Sequence, residues 1–239
     1  MIKKVINQNT KLKRELINTI EPKFIFADKP INRLSVLETE DGTQQIYKEE
    51  LIKNLEKRIN SIENCKLKEN SNKIILGEGN INSPLMLIGE APGAEEEKLG
   101  VPFRGEVGEL LDKMLIAINI KRESIYTSYT INFRPPDDRK PTSTEIKRYS
   151  VFLKEHISIV NPKIIVLMGS SAMEAVAGIS EKISAERGHW KEVILKNKTF
   201  SLMITFNPSY LIRFPENKKH SWEDLKKIRD KIKDMKLKI

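Results

Sequence analysis

The chain has little sulfur and little histidine: one cysteine, Cys65, and three histidines in 239 residues. A lone thiol closes no internal disulfide and cannot by itself supply a tetrathiolate zinc or iron–sulfur site, so a reducing compartment, the cytoplasm, is the expected setting. His156, His189 and His220 share no metal-ligand spacing, and His156 falls on the apolar side of a helical pattern, where a structural role is the simpler expectation. No run approaches the roughly 18 consecutive apolar residues of a membrane span. The opening MIKKVINQNTKLKREL lacks the apolar core of a secretory signal. A phosphate loop ending in Gly-Lys-Ser/Thr is missing as well, and no internal repeat suggests a solenoid.

What the chain does have is positive charge. Lysine and arginine total 42 against 33 acidic residues, a formal net charge of +9. That balance fits nucleic acid, a membrane face or a phosphorylated substrate as partner. Lysine, isoleucine and asparagine are abundant everywhere, however, so part of the charge is compositional. A hydrophobic fraction of 39% argues against disorder, and the length suits one domain with an appendage. Residues 1–46, interrupted by Pro22, Pro30 and the turn-like Asp41-Gly42, are expected to form that appendage, and 47–239 the domain. Leu51, Leu55, Ile59 and Ile62 predict an amphipathic helix from Tyr47.

The centre alternates between strand and helix patterns. Ile74–Leu76 predicts a short strand, Leu85–Ile88 a buried one opening into Gly89-Glu90-Ala91-Pro92-Gly93, and Val107 to Ile118 a helix. A strand is expected near Ser124–Phe133, then a helix capped by Ser143, with Glu145 one place too early for a capping box. Lys163–Met168 predicts the clearest buried strand, followed by a helix over Ser170–Ala177 and a strand over Thr199–Phe206. A last helix from Ser221 would turn Trp222, Leu225, Ile228, Ile232 and Met235 inward. Such alternation implies an α/β fold, three layers deep (α/β/α), around a mostly parallel sheet. In such sheets the ligand lies beyond the carboxyl ends of the strands, here Gly89–Phe103, Tyr129–Pro141, Gly169-Ser170 and Asn207–Arg213.

Taken together, GEAPGAEEEKLGVPFRGEVGELLDKML, the later RPP and TFNPSYLIR resemble the uracil-DNA glycosylase superfamily, most of all its iron–sulfur, thermostable fourth family. The resemblance runs from about Ile62 to Leu225. Its first motif matches at Gly89, Glu90, Ala91, Pro92, Gly93, Glu96, Gly100, Pro102 and Phe103, with Glu97 where the family has aspartate. The resemblance implies a hydrolase of base-excision repair that flips a deaminated base out of DNA and cleaves its N-glycosidic bond. A carboxylate stabilises the cationic sugar and donors stabilise the departing base. Glu90 is the first candidate carboxylate and Glu96 the second, although three adjacent glutamates ordinarily form a solvated face. Asn207 would donate to the leaving base, Ala91, Phe103 and Tyr129 would contact it, and Gly105, Arg134, Ser170, Ser209 and Arg213 would bind the DNA. The implied setting is the cytoplasm, at the nucleoid, and the implied state a monomer.

The sequence also departs from the family. Of the four cluster cysteines only Cys65 is present, with Ile62, Phe133 and Tyr149 at the other positions, so no four-iron cluster and no other metal is expected. Tyr129 stands where the family reads uracil with an asparagine, and one phenol cannot offer the paired donor and acceptor of an amide. Asn207-Pro208-Ser209 replaces a motif that begins His-Pro. Two outcomes remain open: an active glycosylase with altered base preference, or an inactive glycosylase-fold DNA binder. A nucleotide-dependent α/β enzyme has no phosphate motif behind it.

Overall fold

The structure, a computed structural model, describes residues 41–239 except residue 72. The predicted appendage therefore lies outside the described residues up to residue 40. Helix α1 (Asp41–Asn60) begins six residues before Tyr47, so the Asp41-Gly42 pair opens a helix and is not a turn. A single turn, α2 (Lys66–Glu69), precedes β1 (Gly77–Gly79) and β2 (Leu85–Gly89). Helices α3 (Ala94–Leu99) and α4 (Gly105–Ile116) lead to β3 (Tyr126–Tyr129), and the long α5 (Ser143–Val160) to β4 (Ile164–Met168). Then follow α6 (Ser170–Ala177), the turn α7 (Ile183–Glu186), β5 (Trp190–Leu195), β6 (Lys198–Thr205), α8 (Pro208–Arg213) and α9 (Lys218–Asp234).

The strands form one six-stranded sheet in the order β1-β3-β2-β4-β6-β5. The inner four are parallel, and the two edges, β1 and β5, are antiparallel. Alternation along the parallel strands divides the core in two. Leu85, Leu87, Ile164 and Val166 pack with Leu111, Leu115, Leu225 and Ile228 of α4 and α9 on one face. Met86, Ile88, Ile165 and Leu167 pack with Ile146, Leu153, Ile157 and Met173 of α5 and α6 on the other. This is the three-layer α/β/α arrangement expected from the sequence. Period-2 side-chain alternation supplies both faces of a central strand with apolar residues, which is why these strands read as unbroken hydrophobic runs.

Several local expectations need correction. The strand lies at Gly77–Gly79 and not at Ile74–Leu76, although Ile75 N–H still bonds the Asn132 carbonyl at 2.8 Å. Thr142 caps α5: its hydroxyl accepts from Glu145 N–H, and the Glu145 carboxylate accepts from Thr142 N–H at 2.8 Å, a complete capping box. Trp222 and Met235 are 39% and 37% exposed and do not point into the core as the helical pattern had suggested. Strand β5 had no counterpart in the sequence reading.

His156 is buried on α5, its Nε2 3.0 Å from the Tyr126 hydroxyl and its Nδ1 3.4 Å from Ser128 Oγ. Burial pulls its pKa down from 6.5 to about 4, and burial also pushes the Tyr126 phenol up, so the ring is neutral beside a neutral partner. The unfolded chain binds this proton more readily, so the contribution to stability is present above pH ~6.5 and is lost as pH falls toward 4. Denaturant unfolding should show about 2 kcal/mol lost between pH 7.5 and 5, before most carboxylates titrate. A flat profile across that interval would refute the assignment.

Candidate active site

Four loops meet beyond the carboxyl ends of the parallel strands and enclose a cavity of about 450 Å³. That is within the usual size of small-ligand pockets. Glu90, Ala91, Glu96, Phe103, Gly105, Tyr129, Asn207, Ser209 and Arg213 all line it. Residues more than a hundred positions apart in sequence are thus brought to one place by the parallel topology. Arg134 and Ser170 do not line it.

Strand β2 ends on Gly89, where a side chain has no room: a Cβ would come within 2.7 Å of the Phe103 ring and 2.9 Å of the Tyr129 ring. Those two rings pack at 4.7 Å between centroids and are almost fully buried. Phe103 holds a left-handed backbone (φ 54°), a conformation costly for a bulky residue and tolerated where surroundings enforce it. The enforcing contacts are visible. The Tyr129 hydroxyl accepts from Phe103 N–H at 2.9 Å and donates to Glu96 Oε1 at 3.2 Å. Glu96 in turn accepts from Arg104 N–H at 2.9 Å and Gly93 N–H at 3.0 Å. Burial, with the Glu96 charge beside it, drives the Tyr129 phenol well above its usual range, so it stays a neutral donor. The middle glutamate of the Glu95-Glu96-Glu97 run is therefore 5% exposed and ties the loop together, whereas the run had suggested a solvated face.

Glu90 stands apart from that network. Its Oε2 accepts from the Ser171 hydroxyl at 2.7 Å. Gly169 (φ 103°) neighbours both Glu90 and Asn207: a Cβ there would sit 3.9 Å from Glu90 Oε2 and 3.8 Å from Asn207 Nδ2. A bare peptide thus adjoins both a carboxylate and an amide. Asn207 caps α8, its Oδ1 accepting from Ser209 N–H and from the Ser209 hydroxyl at 3.0 Å each. Its Nδ2 makes one long bond, 3.4 Å, to the Met168 carbonyl and retains donor capacity.

Residues 76–226 match the sequence model of the uracil DNA glycosylase superfamily. The type-4 uracil-DNA glycosylase of Thermotoga maritima is 35% identical over 189 residues, 78% of this chain and 97% of that protein. The chain belongs to the uracil-DNA glycosylase superfamily. Type-4 uracil-DNA glycosylases of Archaeoglobus fulgidus and Pyrobaculum aerophilum are 28% and 29% identical, covering 75% and 74% of this chain and 92% and 88% of theirs.

Within this superfamily the four positions linked by resemblance to an iron–sulfur cluster can be tested against the fold. They do come together. Cys65 Sγ is 3.3 Å from the Tyr149 hydroxyl, Phe133 meets the Tyr149 ring edge-on at 6.4 Å, and Ile62 packs on the same cluster with Leu55, Ile59 and Leu67. One thiol among hydrocarbon and a phenol does not fit a cluster that needs four thiolates. The side chains occupy the volume themselves. Among the described residues, no three of His, Cys, Asp and Glu are grouped to hold a metal, and no helix is long and apolar enough to cross a membrane.

The basic residues around a glycosylase-type mouth are less available than the sequence suggests. Arg134 is bound to both oxygens of Asp138, at 2.7 and 3.1 Å, and to Glu97 at 3.2 Å; these bonds raise its pKa further. Arg139 pairs with both oxygens of Glu145. Arg213 is exposed, its Nε bonding only the Ser209 carbonyl at 3.3 Å among the described residues. Lys140 Nζ reaches Ser170 Oγ at 2.7 Å. Lys218 lines a separate groove with Leu110 and Trp222. Ser171 went unnoticed in the sequence because a serine in the first turn of a helix is ordinary; only its contact with Glu90 singles it out.

Proposed function

We propose that the protein is a DNA N-glycosylase of base-excision repair, hydrolysing the bond between deoxyribose and a deaminated base that it has flipped into the cavity. The observation that carries this reading is the convergence of Glu90 and Asn207 beside Gly169 in the cavity. As the C1′–N bond breaks, positive charge grows on the sugar and negative charge on the base. The Glu90 carboxylate stabilises the first and orients the water whose oxygen bonds to C1′. Asn207 Nδ2 donates to the second, and the base leaves with a proton derived from that water. Of the two candidate carboxylates Glu90 takes the reactive role, because Glu96 is already spent on three donors from the loop. The exposed start of α4 at Gly105, together with Ser209 and Arg213, would meet phosphates, with Ser170 and Arg134 further out. The enzyme acts on DNA as a monomer and uses no iron–sulfur cluster, because packing occupies the cluster's positions.

Base preference follows from Tyr129. Its hydroxyl is committed to Phe103 N–H and Glu96, which leaves an apolar ring to face the base and no paired donor and acceptor to read its edge. Selection then rests on shape and on Asn207 more than on the imino edge of uracil. Labelled single- and double-stranded oligonucleotides carrying uracil, hypoxanthine, xanthine or mismatched thymine, followed by alkali, test this. Release of at least one base is expected. Tyr129→Asn should move the ratio of rates toward uracil by roughly tenfold or more, the scale of one bidentate contact. Binding without release of any base would mean a non-catalytic DNA binder, and an unchanged spectrum for Tyr129→Asn would remove Tyr129 from specificity.

A further inference from the structure

We infer that Ser171 is a positioning residue for the reaction: its hydroxyl fixes the rotation of the Glu90 carboxylate and leaves the second oxygen directed at the cavity. The inference rests on the reading of Glu90 as the reactive carboxylate. Glu90 follows the last residue of β2 and Ser171 is the second residue of α6, which begins directly after β4 and Gly169. Because β2 and β4 are parallel neighbours, their carboxyl ends deliver the two side chains to the same side of the sheet.

The contact is specific. Ser171 is fully buried, and its hydroxyl donates to Glu90 Oε2 at 2.7 Å. That is the one hydrogen bond to the Glu90 carboxylate among the described residues. Glu96, six residues on, is held by three donors. A carboxylate gripped by a single donor keeps one oxygen free to face a developing cation, whereas one gripped from both sides cannot turn toward substrate. Beside it, Gly169 presents no side chain, so nothing but Ser171 sets the orientation from the α6 side. A buried hydroxyl without a partner is destabilising, so the pairing also explains why a polar side chain is tolerated next to Ala172 and Met173, both fully buried.

Single-turnover base release, measured with enzyme in excess, tests the role with Ser171→Ala, Ser171→Thr and Glu90→Gln. Ser171→Ala is expected to slow release at saturating enzyme by about tenfold, the scale of a hydrogen bond to a charged group, with DNA affinity changed by less than about twofold. Ser171→Thr keeps a hydroxyl at the same place and should recover most of the rate, a rescue that a packing role alone would not give. In crystals, Ser171→Ala should show the Glu90 carboxylate in more than one orientation. A wild-type rate in Ser171→Ala, or an unchanged single Glu90 orientation, overturns the inference. Failure of the wild-type chain to release any base overturns the proposed function instead, and activity surviving in Glu90→Gln overturns the choice of carboxylate. In either case the crystallographic comparison still decides whether Ser171 sets the geometry of Glu90.

Discussion

Alanine at position 90 is expected to slow base release by about a thousandfold or more, within the range that a positioned charged group supplies to a developing ionic transition state. Duplex affinity should change little, because the proposed role sets Glu90 toward the reacting sugar and not toward the phosphates. The physical basis is the isolation of this carboxylate: one hydroxyl donor at 2.7 Å, a glycine beside it, and the Asn207 amide near the same glycine. Glu96 makes the control. Glu96→Gln should loosen the Gly93–Arg104 loop, lower the melting temperature and raise the concentration of enzyme needed for half-maximal binding, while rate at saturation falls far less. Pre-steady-state kinetics on the preferred substrate separates the two. Should Glu90→Ala keep more than a tenth of the rate, the carboxylate is not the group that stabilises the sugar.

The second large effect concerns stability. Tyr149→Ala should cost about 3–5 kcal/mol, the usual penalty for deleting a buried aromatic ring. For a domain of this size that is a fall of roughly 10 °C in melting temperature. Tyr149 is 1% exposed, packs against Phe133 and Phe152, and holds Cys65 through its hydroxyl; burial, with Cys65 beside it, pushes the phenol above its usual range. It joins α5 to the segment after α1, two parts of the chain 84 residues apart. Tyr149→Phe removes only the hydroxyl and should cost about 1 kcal/mol. A strong iron chelator should leave the melting curve of the wild-type protein unchanged. Calorimetry of the three proteins measures this, and a chelator-induced fall would overturn the account of this cluster.

Much of the framework is legible in the sequence, for a definite reason. Strands β2 and β4 are buried on both faces, so Leu85–Ile88 and Ile164–Met168 are continuous apolar runs that no amphipathic element would produce. Strand β5 is an edge of which only Leu195 is buried, and it pairs with β6 through Lys196 and Asn197 at φ 46° and 64°. That two-residue turn ordinarily advertises itself as Asn-Gly or Asp-Gly, and neither is present. The site shows the same division. Its loops are motif-dense and can be located from sequence, but the function of each glutamate cannot. Glu96 looked solvated because three consecutive glutamates ordinarily form a solvated face, and only the fold shows that it turns inward to collect the N–H groups of Gly93 and Arg104. The pairing of Arg134 with Asp138 and Glu97 is likewise invisible until the Pro135–Arg139 turn brings Asp138, and α3 brings Glu97, around it.

The cluster built from Ile62, Cys65, Phe133 and Tyr149 has a consequence for how the protein is made and how it fails. On the proposed reading, a patch assembled from side chains is complete once the chain folds; it waits for no cofactor delivery, and its yield does not follow iron supply. It also offers superoxide and peroxide no inorganic centre to attack, and its one thiol is covered. A protein stapled there by hydrocarbon would keep its shape when iron is scarce, with heat and acid, through Tyr149 packing and His156, as the stresses that undo it.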